Sequence, residues 1–164
     1  MNQKRQQLLS EILWFVPAVA RLIGVRRIAL LGSMTTEKKD PKDIDFLVFV
    51  DDEVSLGPLA KIGRKVKGHA QNIGRGADIF LANPTGHYIG RTCGWIQCGP
   101  GIRRSCRALN CGRRHYLNDD LKAVTLSDET VRSSVELWPV VERRTGLPDD
   151  LEKVLEQLQV GSRS

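Results

Sequence analysis

No apolar run in this sequence approaches the roughly 20 residues that a membrane-crossing helix requires, so a membrane is not an expected partner. The longest such stretch near the start, residues 12–20, contains Pro17. It leads through Arg21 into a strand-like segment and not toward a cleavage site, which makes the cytoplasm the expected compartment. Cysteine is missing everywhere except between Cys93 and Cys111. Acidic residues are nearly missing between Lys61 and Arg114, where eleven Lys and Arg stand with one acid, Asp78. No internal repeat or low-complexity tract is visible, which argues against a repeat array.

What is present is the composition of an ordinary globular domain, 41% hydrophobic and 27% charged over 164 residues, enough for one unit with its own core. The formal net charge of +6 is unevenly spread. The basic middle is followed, from Asn118 onward, by ten Asp and Glu against six Lys and Arg. A local positive excess attracts polyanions such as nucleoside triphosphates, nucleic acid or an acidic partner; for any single arginine, a solvated face is the simpler explanation.

Leu8, Leu9, Ile12, Leu13, Val16, Val19 and Leu22 recur at three- and four-residue steps and predict an amphipathic helix over 3–23, kinked or broken at Pro17. Residues 27–31 read as a buried strand ending on Gly32, and 44–50 as a second strand. A basic helix is expected over 56–72, then a glycine turn and a third strand over 77–82. Residues 83–114 lack a steady period and are expected to be irregular. Closing helices are predicted over 127–141 and 147–159, the first capped by Ser127. These elements make an α/β (α+β) fold: a small, mixed, twisted sheet with carboxylates on one face and flanking helices. The chain is read as a single domain over 1–164, with 84–116 as a Cys-, Arg- and Gly-rich insertion.

Side chains alternate along a strand, so Asp43 and Asp45 point to one side while Ile44 turns into the core. Paired carboxylates suit Mg²⁺, which takes oxygen ligands from one or two carboxylates and from substrate phosphates. Two such ions about 4 Å apart can clamp both oxygens of an in-line displacement. Asp78, on the third strand, would complete the second metal site and help deprotonate an acceptor hydroxyl. Gly32 lets backbone N–H groups approach a phosphate, and the Ser33 hydroxyl can hydrogen-bond its oxygens. Each feature also has a plainer reading: an ordinary turn at Gly32-Ser33, turn or cap roles for Asp40 and Asp43, an ion pair for Asp78.

Taken together, Leu31-Gly32-Ser33, Asp43-Ile44-Asp45-Phe46 and Ala77-Asp78-Ile79 resemble the signature of the DNA polymerase β-like nucleotidyltransferase superfamily. The resemblance covers residues 25–83, about a third of the chain. It implies that Asp43 and Asp45 bind two Mg²⁺ ions, that Asp78 shares a metal, and that Gly32 and Ser33 hold the triphosphate. The activity it implies is transfer of a nucleoside monophosphate from a nucleoside triphosphate to an unidentified hydroxyl, with release of pyrophosphate. Lys65 or Lys67, by location alone, would neutralise the pyrophosphate. The alternatives are an inactive scaffold serving as a zinc-containing nucleic-acid-binding module, or the nucleotidyltransferase half of a toxin–antitoxin pair.

Cys93-x4-Cys98 and Cys106-x4-Cys111 form one symmetrical cluster, flanked by His87 and His115. Four thiolates would close a structural Zn²⁺ site, although the gaps are wider than the two-residue spacing that signals zinc most strongly. Reduced structural thiols and disulfides are the other readings. Arg91, Arg103, Arg104, Arg107, Arg113 and Arg114 lie among Trp95 and Tyr116, a mixture that suits phosphate forks and base stacking. The acceptor is therefore left open, with RNA or protein among its candidates, as is the presence of a protein partner or a homo-oligomer.

Overall fold

Apolar residues at helical spacing make the first helix, α1 (Gln3–Ala20), one-sided, and Leu8, Leu9, Ile12, Phe15, Val16 and Val19 are buried along that side. The structure, a computed structural model, describes residues 3–93, 114–119, 121 and 124–161. Pro17 does not end the helix. α1 runs on to Ala20 with Val19 fully buried, and the packing of that last turn offsets the hydrogen bond that proline cannot make. The helix stops short of residue 23, because the turn before Gly24 delivers the chain into the sheet.

Six described strands form one mixed sheet in the order β5-β4-β3-β2-β1-β6. β1 (Val25–Leu31) runs antiparallel to β2 (Asp43–Val50), and the helix α2 (Gly57–Asn72) carries the chain over to β3 (Gly76–Ala82), which is parallel to β2. β4 (Tyr88–Thr92) folds back antiparallel on β3, and the short β5 (Leu117–Asn118) pairs with β4. The other edge is β6 (Val135–Trp138), antiparallel to β1. The mixed sheet with flanking helices is the architecture expected from the sequence.

Alternation along the strands sorts two faces. Ile44, Phe46, Val48 and Val50 of β2, with Ala77, Ile79 and Leu81 of β3, join the main core under α1, α2 and α4 (Asp149–Gly161). Phe15 stacks on Phe46 with ring centroids 3.9 Å apart, tying α1 to the central strand. The opposite face carries Asp43 and Asp45, then Leu47 and Phe49. Its apolar part packs with Leu31, Phe80 and Ala82 beneath Val131, and Val124 and Leu126 flank the cluster.

Two expected elements differ. The helix predicted over 127–141 is only α3 (Asp128–Arg132), after which β6 begins. Ser127 does cap it, its hydroxyl accepting from the Thr130 N–H at 3.1 Å. The Val135-Glu136-Leu137-Trp138 stretch alternates buried and half-buried positions, and β1 offers it an open edge to pair with. The stretch expected to be irregular begins instead with a hairpin. A turn closed by Asn83 N–H to His87 O leads into β4, and Asn83 Oδ1 accepts from the backbone of Thr85 and His87.

Candidate active site

Parallel pairing of β2 and β3 sets Asp45 directly beside Asp78, and Asp43 beside Gly76. All three carboxylates thus come from neighbouring strand starts on the face away from the long helices. The ending of β1 brings in the glycine turn, since Leu31 pairs with Asp45. Gly32 follows at φ +72°, a left-handed conformation that side chains rarely adopt. A Cβ there would lie 3.2 Å from Asp45 Oδ2, so the turn lies against the carboxylate. Gly32–Thr35 forms one tight helical turn in which Thr35 and Thr36 hydroxyls donate to the Gly32 and Ser33 carbonyls. Ser33 is half-buried beside them.

Gly76 has a role that spacing did not reveal. A side chain there would collide with Asp43 Oδ1, so the missing Cβ is what lets the Asp43 carboxylate lean across the start of β3.

The electrostatics are uneven. Asp45 is pushed up to about 7, first by burial and then by the charges of Asp78 and Asp43. Asp78 is met by two cations, Lys67 Nζ at 3.6 Å and Arg91 Nη1 at 3.8 Å, both from its Oδ1. Lys67 comes from α2, and Arg91 from β4, where it pairs with Phe80 on the carboxylate face. Lys65 is exposed on α2, and of the two lysines singled out in the sequence it is Lys67 that reaches the carboxylates. Arg91 was legible only as one arginine among many, because nothing local marks β4 as the neighbour of β3.

The loop after the glycine turn is fastened from behind. Arg5, with 6% of its side chain exposed, donates from Nε to Asp150 Oδ2 at 2.7 Å and from Nη1 to the Lys38 carbonyl at 2.9 Å. Its Nη2 also reaches the Met34 carbonyl at 3.4 Å. One guanidinium therefore joins α1, the 34–38 loop and the start of α4.

Among the described residues no three His, Cys, Asp or Glu side chains gather into a ready-made metal cage. The carboxylates form an open row of acids with Asp45 pressed toward its neutral form, an arrangement that a divalent cation or a proton would relieve. Cys93 is buried at the end of β4, its N–H bonded to the Tyr116 carbonyl at 2.7 Å. Cys98, Cys106 and Cys111, and with them the zinc reading, lie outside the described residues. No helix among the described residues is long and apolar enough to cross a membrane.

Over residues 1–97 the chain matches a family described as a family of unknown function, DUF6932. That span is more than half of the chain, and the chain belongs to this family. The matched span contains Gly32, Ser33, Asp43, Asp45, Lys67, Asp78 and Arg91, and it ends before Cys98. Neither the curated proteins nor the solved structures give a match.

Proposed function

We propose that this chain is a Mg²⁺-dependent nucleotidyltransferase of the DNA polymerase β-like kind, moving a nucleoside monophosphate from a nucleoside triphosphate to a hydroxyl acceptor. The observation that carries the reading is the convergence of three sequence-distant motif parts on one face of the sheet. Asp45 lies in register with Asp78 on the parallel neighbour, and the Gly32 turn lies against the Asp45 carboxylate.

The residues fit the metal on chemical grounds. Oxygen donors in an open row, completed by substrate phosphates, are what Mg²⁺ takes in place of an all-protein cage. The burial and mutual repulsion that raise Asp45 are what a bound dication would offset. Asp43 and Asp45 are the residues assigned to hold it, with Asp78 alongside. When bound, the metal would neutralise charge on the phosphates and acidify the attacking hydroxyl.

The chain's own groups then divide the work. The Gly32-Ser33 turn orients the β- and γ-phosphates, so that the α-phosphorus lies over β2. The acceptor oxygen forms its bond to that phosphorus while the bridge to the β-phosphate breaks, and pyrophosphate leaves with the bonding electron pair. Asp78 faces the acceptor and is assigned its hydroxyl proton. Holding the reactants in line supplies much of the acceleration in such reactions. The compartment that goes with this reading is the cytoplasm.

The test is incorporation of labelled nucleoside monophosphate in the presence of Mg²⁺ and a panel of hydroxyl acceptors, including RNA and protein. The expected result is incorporation by the wild-type chain and none by Asp43→Ala/Asp45→Ala. Label that survives in the double variant would sink the assignment.

A further inference from the structure

The face that carries the carboxylates is ordered from strand to strand. Gly32 and Ser33 follow β1, Asp43 and Asp45 lie on β2, Asp78 on β3 and Arg91 on β4. Neighbouring strands are about 4.8 Å apart, so the glycine turn and Arg91 are separated by roughly 14 Å with the acids between them. A triphosphate held at the turn occupies the β1 side. What remains over β3 and β4 is the acceptor's ground, and among the described residues the cations that reach Asp78 there are Lys67 and Arg91.

Those cations are placed but not locked. Their distances to Asp78 Oδ1, 3.6 and 3.8 Å, are longer than a hydrogen bond. The pairs that fasten this fold are short by comparison, 2.7 Å for Arg5–Asp150 and 2.8 Å for Arg26–Asp51. Lys67 and Arg91 also remain partly open, with 30% and 24% of their side chains exposed. Two positive charges are thus directed at one carboxylate oxygen, and both have donors to give to another anion. α2 contains no acid, so no carboxylate on the helix that carries Lys67 competes for its charge. An arginine fork with a lysine point charge is a good match for a phosphate group.

We infer that Lys67 and Arg91 form a phosphate subsite on the acceptor side, and that the acceptor is a hydroxyl compound carrying its own phosphate. The inference rests on the nucleotidyl-transfer reading above. Phosphate held there neutralises the pair while the acceptor hydroxyl faces Asp78.

Calorimetric titration of the full chain, saturated with Mg²⁺ and a non-hydrolysable triphosphate, tests it. The monoester arm compares ribose 5-phosphate with ribose, and the diester arm compares the dinucleotide UpU with uridine. In at least one arm the phosphorylated probe is expected to bind at least tenfold tighter than its partner. Lys67→Ala/Arg91→Ala should reduce that preference below threefold, and Lys67→Arg should retain it. The inference is overturned if neither arm shows a preference or if the preference survives in the double variant. It is equally overturned if triphosphate affinity falls in parallel with it, since the cations would then serve the donor. Should the wild-type chain bind no triphosphate, the donor-side reading fails, and the same probes titrated alone decide the subsite by the same criteria.

Discussion

Asp45 holds a carboxylate where its neighbours and its burial oppose a charge. Its pKa, pushed up to about 7, means that the folded metal-free chain binds this proton more tightly than the unfolded chain does. The stability that comes with it is complete below the unfolded value near 4 and is lost as pH rises through about 7. Asp45→Asn should therefore stabilise the metal-free protein at pH 8, by up to about 4 kcal/mol at about 1.4 kcal/mol per pKa unit, and should change little at pH 4. Urea unfolding at both pH values measures this, and equal effects at the two would refute it. Gly76 supplies a second residue-scale prediction. Gly76→Ala should push the Asp43 carboxylate aside at a stability cost of about 1 kcal/mol or less, because that side chain is exposed and able to move. Mg²⁺-dependent incorporation should nonetheless fall at least tenfold. Activity unchanged beside wild-type thermal stability would remove Gly76 from the site. Asp43, Asp45 and Asp78 were readable from spacing because strand alternation is a local rule. Lys67 was named by location alone, without its contact to Asp78, and Gly76 and Arg91 were not marked as site residues, because these roles depend on which strand or helix lies alongside.

Among the elements, the segment from Ser127 to Trp138 is where local preference and tertiary context part. Ser127 with Asp128 and Glu129 is a good helix start, and the start forms. The helix ends after Arg132 because Val135 and Leu137 gain more from the open edge of β1 than from another helical turn. Ser127→Ala removes the cap, at about 1 kcal/mol by the usual cost of such losses. It should loosen α3 and with it Val131, the residue that α3 sets against Leu47, Phe49 and Phe80. Amide exchange in 128–132 should accelerate while that of β2 stays slow, and uniform exchange changes would contradict the assignment. Pro17 teaches the converse lesson: a strong local breaker yields when the turn beyond it is buried.

For the whole molecule, Arg5 connects parts that the sequence holds 145 residues apart. Asp150 is held below the ordinary carboxylate range, chiefly by its hydrogen bond to Arg5, so its stabilisation is present above the unfolded value near 3.9 and is lost as pH falls below it. Arg5→Met should destabilise the fold by roughly 2–4 kcal/mol, since it takes the guanidinium away from two carbonyls and a partly buried acid. Asp150→Asn should flatten the loss of stability between pH 6 and pH 3, which denaturant titrations across that range would detect; an unchanged slope would count against the pairing. Because the same guanidinium holds the 34–38 loop, Arg5→Met should also weaken triphosphate binding.

By itself the sequence determined the helix–strand alternation of residues 3–82, the facing of Asp43 and Asp45, and the turn at Gly32, because these follow from periodicity and backbone sterics within a few residues. It also determined the charge map that leaves Asp78 alone among cations. Only the tertiary structure decided that β2 and β3 run parallel and in a register that sets Asp45 beside Asp78. It alone decided that Lys67 and Arg91 meet at one oxygen, and that Val135–Trp138 is a strand. Register and edge pairing depend on which surfaces find each other, and that choice is made by the burial of the whole core, not by any one segment.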